Sequence, residues 1–455
     1  MANVEASDAQ RTAASTPVTH YQVLSIALPI MVSNATTPLV GYADAVVIGR
    51  LGSEVLLGAV ALASNIFNYI YWLFGFLRMG TTGFTAQAQG AGDANQLATH
   101  LARAVIVAGC IGLALVVGQA VIGSVAIGMM GASDAVSAAA RTYFDVRIWS
   151  APAALANFAL IGWFIGLGRA DIAFWLQLLL NVTNIVMATV LTLYLGFGVA
   201  GVAAATIIAE VQAAAVGIWI AARMCRSRGA VIRRAHLVEA AGLKAMFAVN
   251  RDIMIRTLCL LFAFAFFMAQ AARAGDLELA AIGLLYAIAS ITIYLLDGFA
   301  FAAETLIGQA IGAGTRARYH QAIRVSTIWA GIAALAMAFI IYFGGGLAID
   351  FATPNADVRA EARTYLIWAA LMPLIGVWCF QLDGIYIGAT QSVDMRNMML
   401  ISVAIYLPAM VVLQAMFGVV GLWLGLFVFF IVRAVSLLVR LPVIEKRVFP
   451  NAGTA

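Results

Sequence analysis

Apolar side chains fall into twelve long runs separated by short polar breaks. The first six cover residues 24–48, 55–79, 102–130, 143–167, 172–195 and 199–222, and the second six cover 245–271, 279–303, 325–349, 365–387, 398–417 and 419–440. A bilayer crossing needs roughly 20 apolar residues in a helix, and each run supplies about that many. The pattern predicts an all-α polytopic membrane protein of twelve transmembrane helices.

The two sets of six echo each other. TAQAQGAGD around Gln87 returns as IGQAIGAGT around Gln309, ARTYF from Ala140 as ARTYL from Ala362, and GWFIG from Gly162 as GIYIG from Gly384. The offsets 309 − 87, 362 − 140 and 384 − 162 all equal 222. Soluble solenoids repeat every 20–50 residues or so, whereas a long period in an apolar chain predicts two homologous six-helix bundles of the kind found in carriers. The expected division is a polar tail at 1–21, an N-lobe at 22–222, a basic connector at 223–244, a C-lobe at 245–441 and a tail at 442–455.

Composition excludes a soluble globule, since 64% of the side chains are apolar and only 10% charged. The net charge of +5 does not argue for nucleic acid, because the basic residues lie in short loops where they set orientation. Arg103, Arg169, the segment from Arg223 to Arg234, Arg316, Arg318, Arg324, Arg396, Lys446 and Arg447 are expected on one side. Asp134, Asp276, Glu278, Asp350, Asp357 and Glu361 are expected on the other. This arrangement places both termini in the cytoplasm, in a multi-pass protein of the cell inner membrane surrounded by lipid. No removable signal peptide is expected. Cys110, Cys225, Cys259 and Cys379 form no CxxC pair, and His20, His100, His236 and His320 are expected in loops or the leading tail, so neither a metal nor any other cofactor is predicted.

An ionisable group in a membrane span costs about 2.5–3.5 kcal/mol on insertion scales, so each one needs a partner, a wet cavity or a function. Asp44 stands out in the first span, after Pro29 and Pro38, whose missing amide donors weaken the helix and let it bend. A carboxyl there can hold a proton or, once deprotonated, a cation. Asn181 and Asn184 share one face of the fifth span, Thr206 and Glu210 share one face of the sixth, and Asn157 adds a further amide; together they are candidates for an N-lobe polar network. Asp297 and Glu304, seven apart on the eighth span, and Asp383 on the tenth are candidate acids of the C-lobe. Asp297 and Glu304 align with Gly75 and Thr82 under the 222 offset, so these charges belong to one half only. Arg78, Arg147, Arg251 and Arg256 are candidate counter-charges. Phe67, Tyr71, Trp72, Trp163 and the FAFAFFM run offer aromatic faces suited to an organic cation.

The stretches LRMGTTGFTAQAQGAG, NRDI, LDGFAFAAETLIGQAIGA and VWCFQLDGIYIGAT, in that order between two joined six-span halves, resemble the multidrug and toxic compound extrusion (MATE) family, and within it the DinF-type branch. The resemblance spans about Pro29 to Arg440. It implies a two-lobed antiporter fold that exports organic cations or amphipathic toxins against H⁺ or Na⁺ without ATP. It matches Asp44 to the carboxylate on which proton coupling centres, Asn184 to an amide of helix five, Thr206 to the threonine of GVAAAT, and Asp383 to an acid on helix ten. The chain departs from the pattern at Ala188, where many relatives carry an acid, and in MIRTLCLLFAFAFFM, which lacks the helix-seven acid of other branches. These departures favour H⁺ over Na⁺. The resulting expectation is a monomeric, proton-coupled exporter and not an enzyme, with Asp44 protonation and bending of the first helix as the coupling step. A lipid or oligosaccharide-precursor flippase and a Na⁺-coupled exporter stand as alternatives.

Overall fold

The structure, a computed structural model, describes residues 17–450, without the side chains of residues 37–39 and 234. The tail before residue 17, the last five residues and the Pro38 ring therefore lie outside the described residues.

Among the described residues there is no strand, and twelve helices are long and apolar enough to cross a membrane. They are α1 His20–Gly49, α2 Glu54–Gly90, α3 Ala94–Val117, α4 Asp134–Gly166, α5 Ala170–Tyr194, α6 Gly198–Ser227, α7 Ala240–Ala274, α8 Asp276–Gly312, α9 Arg316–Ala352, α10 Ala356–Gly388, α11 Ser392–Phe417 and α12 Val419–Val448. The helices outrun the apolar runs because their first turns are polar. Asp93 caps α3 by accepting from the Gln96 amide at 2.9 Å, nine residues before the apolar run begins. His100 and His320 consequently lie inside α3 and α9, not in loops. The run 102–130 is in fact two helices, α3 and a short Gln119–Met129 helix, parted at Gly118, a poor helix former.

The duplication is visible in the backbone. An added methyl at Gly162 would sit 2.4 Å from the Arg78 carbonyl oxygen, and one at Gly384 would sit 2.4 Å from that of Ala300. One turn on, a methyl at Gly166 would sit 2.7 Å from the Thr82 carbonyl oxygen, and one at Gly388 would sit 2.5 Å from that of Glu304. Both contacts repeat with the same offset, since 384 − 162, 300 − 78, 388 − 166 and 304 − 82 all equal 222. Only glycine permits so close an approach of two helices. The seam between α2 and α4 therefore recurs as the seam between α8 and α10.

The chain forms two compact units, one of residues 32–89 and 93–246, the other of 1–31, 90–92 and 247–455. In the second, Phe267, Phe380, Trp423, Phe429 and Phe430 lie in one buried core. The first half of α1 belongs to this unit and packs against α8, where a methyl at Gly298 would meet the Ala27 carbonyl at 2.7 Å. α1 is helical across Pro29. In the first unit the connector is fastened to α3. The buried Arg103 donates to the carbonyls of His236 and Leu237 and pairs with Glu239 at 3.4 Å, while the Val231 amide donates to Asn95 Oδ1 at 2.8 Å. Arg103 is thus a structural clamp within a helix, not a loop charge.

Candidate functional site

Two of the spans in the first unit are irregular, and the irregularities have sequence causes. Pro152 lacks an amide hydrogen and its ring crowds the carbonyl four residues back, so α4 tightens into a 3₁₀ turn at Ile148–Ser150. α2 breaks between Leu73 and Phe76 around Gly75. The α4 turn sets Arg147 and Ser150 on a polar cluster walled by α2 and α6.

Arg147 is the centre of this cluster. Its Nη1 donates to Tyr143 Oη at 2.9 Å, and its guanidinium carbon lies 4.7 Å from the Phe67 ring centroid. The aromatic faces thus hold the protein's own cation. Ser64 Oγ donates to Tyr143 Oη at 3.3 Å, and Ser150 Oγ donates to the Arg147 carbonyl at 2.9 Å and lies 3.5 Å from Tyr71 Oη.

Two buried carboxyls feel this one guanidinium. Asp44 on α1 and Glu210 on α6 are each 7% exposed, and Arg147 is the cation acting on both. Ser150 reaches Glu210, and the backbone carbonyl of Glu210 accepts from Asn157 Nδ2 at 3.0 Å. Asp44 Oδ1 and Glu210 Oε2 are buried without a hydrogen-bond partner. With both acids ionised, the cluster holds two negative charges against one positive, an excess of one. Buried charge is stable only when paired, so the excess calls for one proton or one further cation.

The two amides of α5 diverge. Asn181 Nδ2 donates to Thr36 Oγ1 on α1 at 2.9 Å, which ties α5 to the half of α1 that carries Asp44, and Asn181 Oδ1 accepts from Gln177 Nε2 at 3.0 Å. Asn184 Nδ2 donates to Thr206 Oγ1 on α6 at 2.9 Å, leaving Asn184 Oδ1 buried and unpartnered. Neither amide bonds to Asp44; they fasten α1, α5 and α6 together around it.

In the second unit the candidate acids have different surroundings. Glu304 is buried in α8, while Asp297 is half-buried there beside Tyr294. Asp383 is not a lone acid: its Oδ2 accepts from both Arg256 of α7 and Arg433 of α12. Arg433, in the middle of an apolar span, satisfies the rule that singled out Asp44, so an intramembrane charge was the signal that could have found it. Tyr71, Tyr143, Ser64, Ser150 and Thr36 carry no such signal, because hydroxyls are ordinary in membrane helices.

The MatE family profile matches residues 29–190 and 253–413. The chain is 36% identical over 412 residues to DNA damage-inducible protein F of Escherichia coli (strain K12), covering 90% of each chain. It is 27% identical over 448 residues to a protein of Agrobacterium fabrum named probable multidrug resistance protein NorM, covering 94% of this chain and 95% of that one. A crystal structure described as MATE in the bent conformation superposes with a TM-score of 0.84 at 20% identity, over 95% of this chain and all of that one.

Proposed function

Since the chain belongs to the MATE family of membrane transporters, whose members carry small organic compounds across membranes and are not enzymes, we propose that it is a proton-coupled antiporter that exports organic cations or amphipathic toxins. Asp44 is the coupling group. The observation that carries this reading is the excess negative charge among Asp44, Glu210 and Arg147. A cationic substrate and a proton can each cancel that excess, but not both together, and mutual exclusion at one charge is what an exchanger requires. When a proton arrives on Asp44, the attraction for the cation is lost and the cation leaves. Glu210, held through Asn157 and Ser150, keeps Arg147 in place while Asp44 changes state. Asn181, Asn184 and Thr206 align α1 against α5 and α6, and Pro29 and Pro38 give α1 the freedom to bend. The protein works as a monomer in the cell inner membrane with both termini in the cytoplasm. A proton entering through 100 mV releases about 2.3 kcal/mol, enough for roughly a fifty-fold gradient of a substrate exchanged for it.

The test is dye export by the full chain in proteoliposomes under separately imposed pH and sodium gradients. We expect a pH gradient alone to drive export and Asp44→Asn to abolish it while the protein inserts and melts as wild type does. Wild-type rates in Asp44→Asn would remove Asp44 from the mechanism, and export driven by sodium alone would replace the proton.

A further inference from the structure

The second unit carries the opposite imbalance. Arg256, Asp383 and Arg433 are all buried, at 6%, 4% and 1% exposure, and two guanidinium groups share a single carboxylate oxygen. Arg256 and Arg433 both stand near the middle of their helices, α7 and α12, where an uncompensated positive charge is costly. Arg433 Nε and Nη1 and Arg256 Nε are buried donors without any hydrogen-bond partner. Cys379 Sγ donates to the Gly376 carbonyl at 3.1 Å. Several other acids of the unit are committed elsewhere. Asp252 is bound to Arg251, Arg396 and Ser392, Asp394 to Arg440 and Arg447, Glu445 to Arg316 and His320, and Asp350 to Arg363.

We propose that this cluster is a binding site for one small monovalent anion, a halide or the carboxylate of a small organic acid, held by the free donors of Arg433 and Arg256. A guanidinium fork recognises either, and one such charge makes the cluster neutral. Asp383 is then a fixed partial counter-charge that limits affinity, because it already supplies half of what the two arginines need. The site is independent of the Asp44 reading, as it lies in the other unit and requires no transport.

The test is equilibrium binding to the purified full chain at constant ionic strength, with labelled chloride and labelled acetate in separate titrations and gluconate as the inert salt. Melting temperature is followed in parallel. Saturable binding of one per chain is expected for chloride, acetate or both, and which of them saturates tells whether the site takes a halide or a carboxylate. Asp383→Asn raises the cluster from one to two excess charges and should tighten binding by at least about tenfold. Arg433→Gln should abolish saturation. A triad that serves only as a salt bridge would bind neither anion in the wild-type chain, and that result alone overturns the proposal even if both variants fail to fold. Weaker binding in a folded Asp383→Asn would overturn it as well.

Discussion

Arg147 is the side chain on which the first unit's chemistry turns. It carries the charge that acts on Asp44 and Glu210, rests on Phe67 and donates to Tyr143. Removing one partner from a buried charge network costs about 3–5 kcal/mol, because the charges left behind stay buried. Arg147→Gln should therefore lower the stability of the purified protein by about that amount. Adding Glu210→Gln should recover part of the loss, and a double-mutant cycle read by thermal melting measures the coupling. Strictly additive losses would mean that the two residues do not share a network. At this scale the sequence was legible where chemistry is rare. An acid in a span stands out against hydrocarbon, so Asp44, Glu210 and Asp383 were visible, and Arg147 was visible as a counter-charge. The partners were not, since nothing in the order of residues says that Tyr71 meets Ser150 or that Arg433 meets Asp383. The aromatic residues were legible as a type but not by role, because Phe67 serves Arg147.

Helices pair here through backbone as much as through side chains. At Gly162 and Gly384 a methyl group would intrude on a carbonyl oxygen of the facing helix, and α2 and α4, or α8 and α10, would have to move apart. Overpacking of this kind costs roughly 1–3 kcal/mol. Gly384→Ala should lower the melting temperature in detergent, and Gly162→Ala should do so to a similar degree because the same seam occurs twice. Asn184→Ala should be milder, about 0.6 kcal/mol for an interhelical hydrogen bond, since polar contacts within membranes are worth little more than that on average. The number and order of the helices could be read from the sequence, as hydropathy alone marks a span. Their ends could not, because the polar first turns of α3 and α9 look like loops until a cap such as Asp93 is seen in place. The 3₁₀ turn in α4 follows from Pro152, a residue whose consequence is local and was open to prediction.

The molecule as a whole is two units that resemble each other in backbone and differ in charge. α1 divides between them at Met31, two residues after Pro29, while its other half carries Asp44. If α1 must deform for transport, Pro29→Ala should slow export several-fold while leaving the melting temperature unchanged or raised, since the substitution restores a helix hydrogen bond. Unaltered export rates in that variant would place the flexibility elsewhere. The 222-residue period announced the duplication before any coordinate, whereas the allocation of α1 depends on long-range packing such as Gly298 on Ala27, which periodicity does not encode.

α7 divides as well, between Met246 and Phe247. The residues just before α7 are clasped by Arg103, so the chain enters α7 from a point already fastened to α3. That clasp turns the connector from a tether of free length into a held base, so whatever α7 does it does from a fixed start.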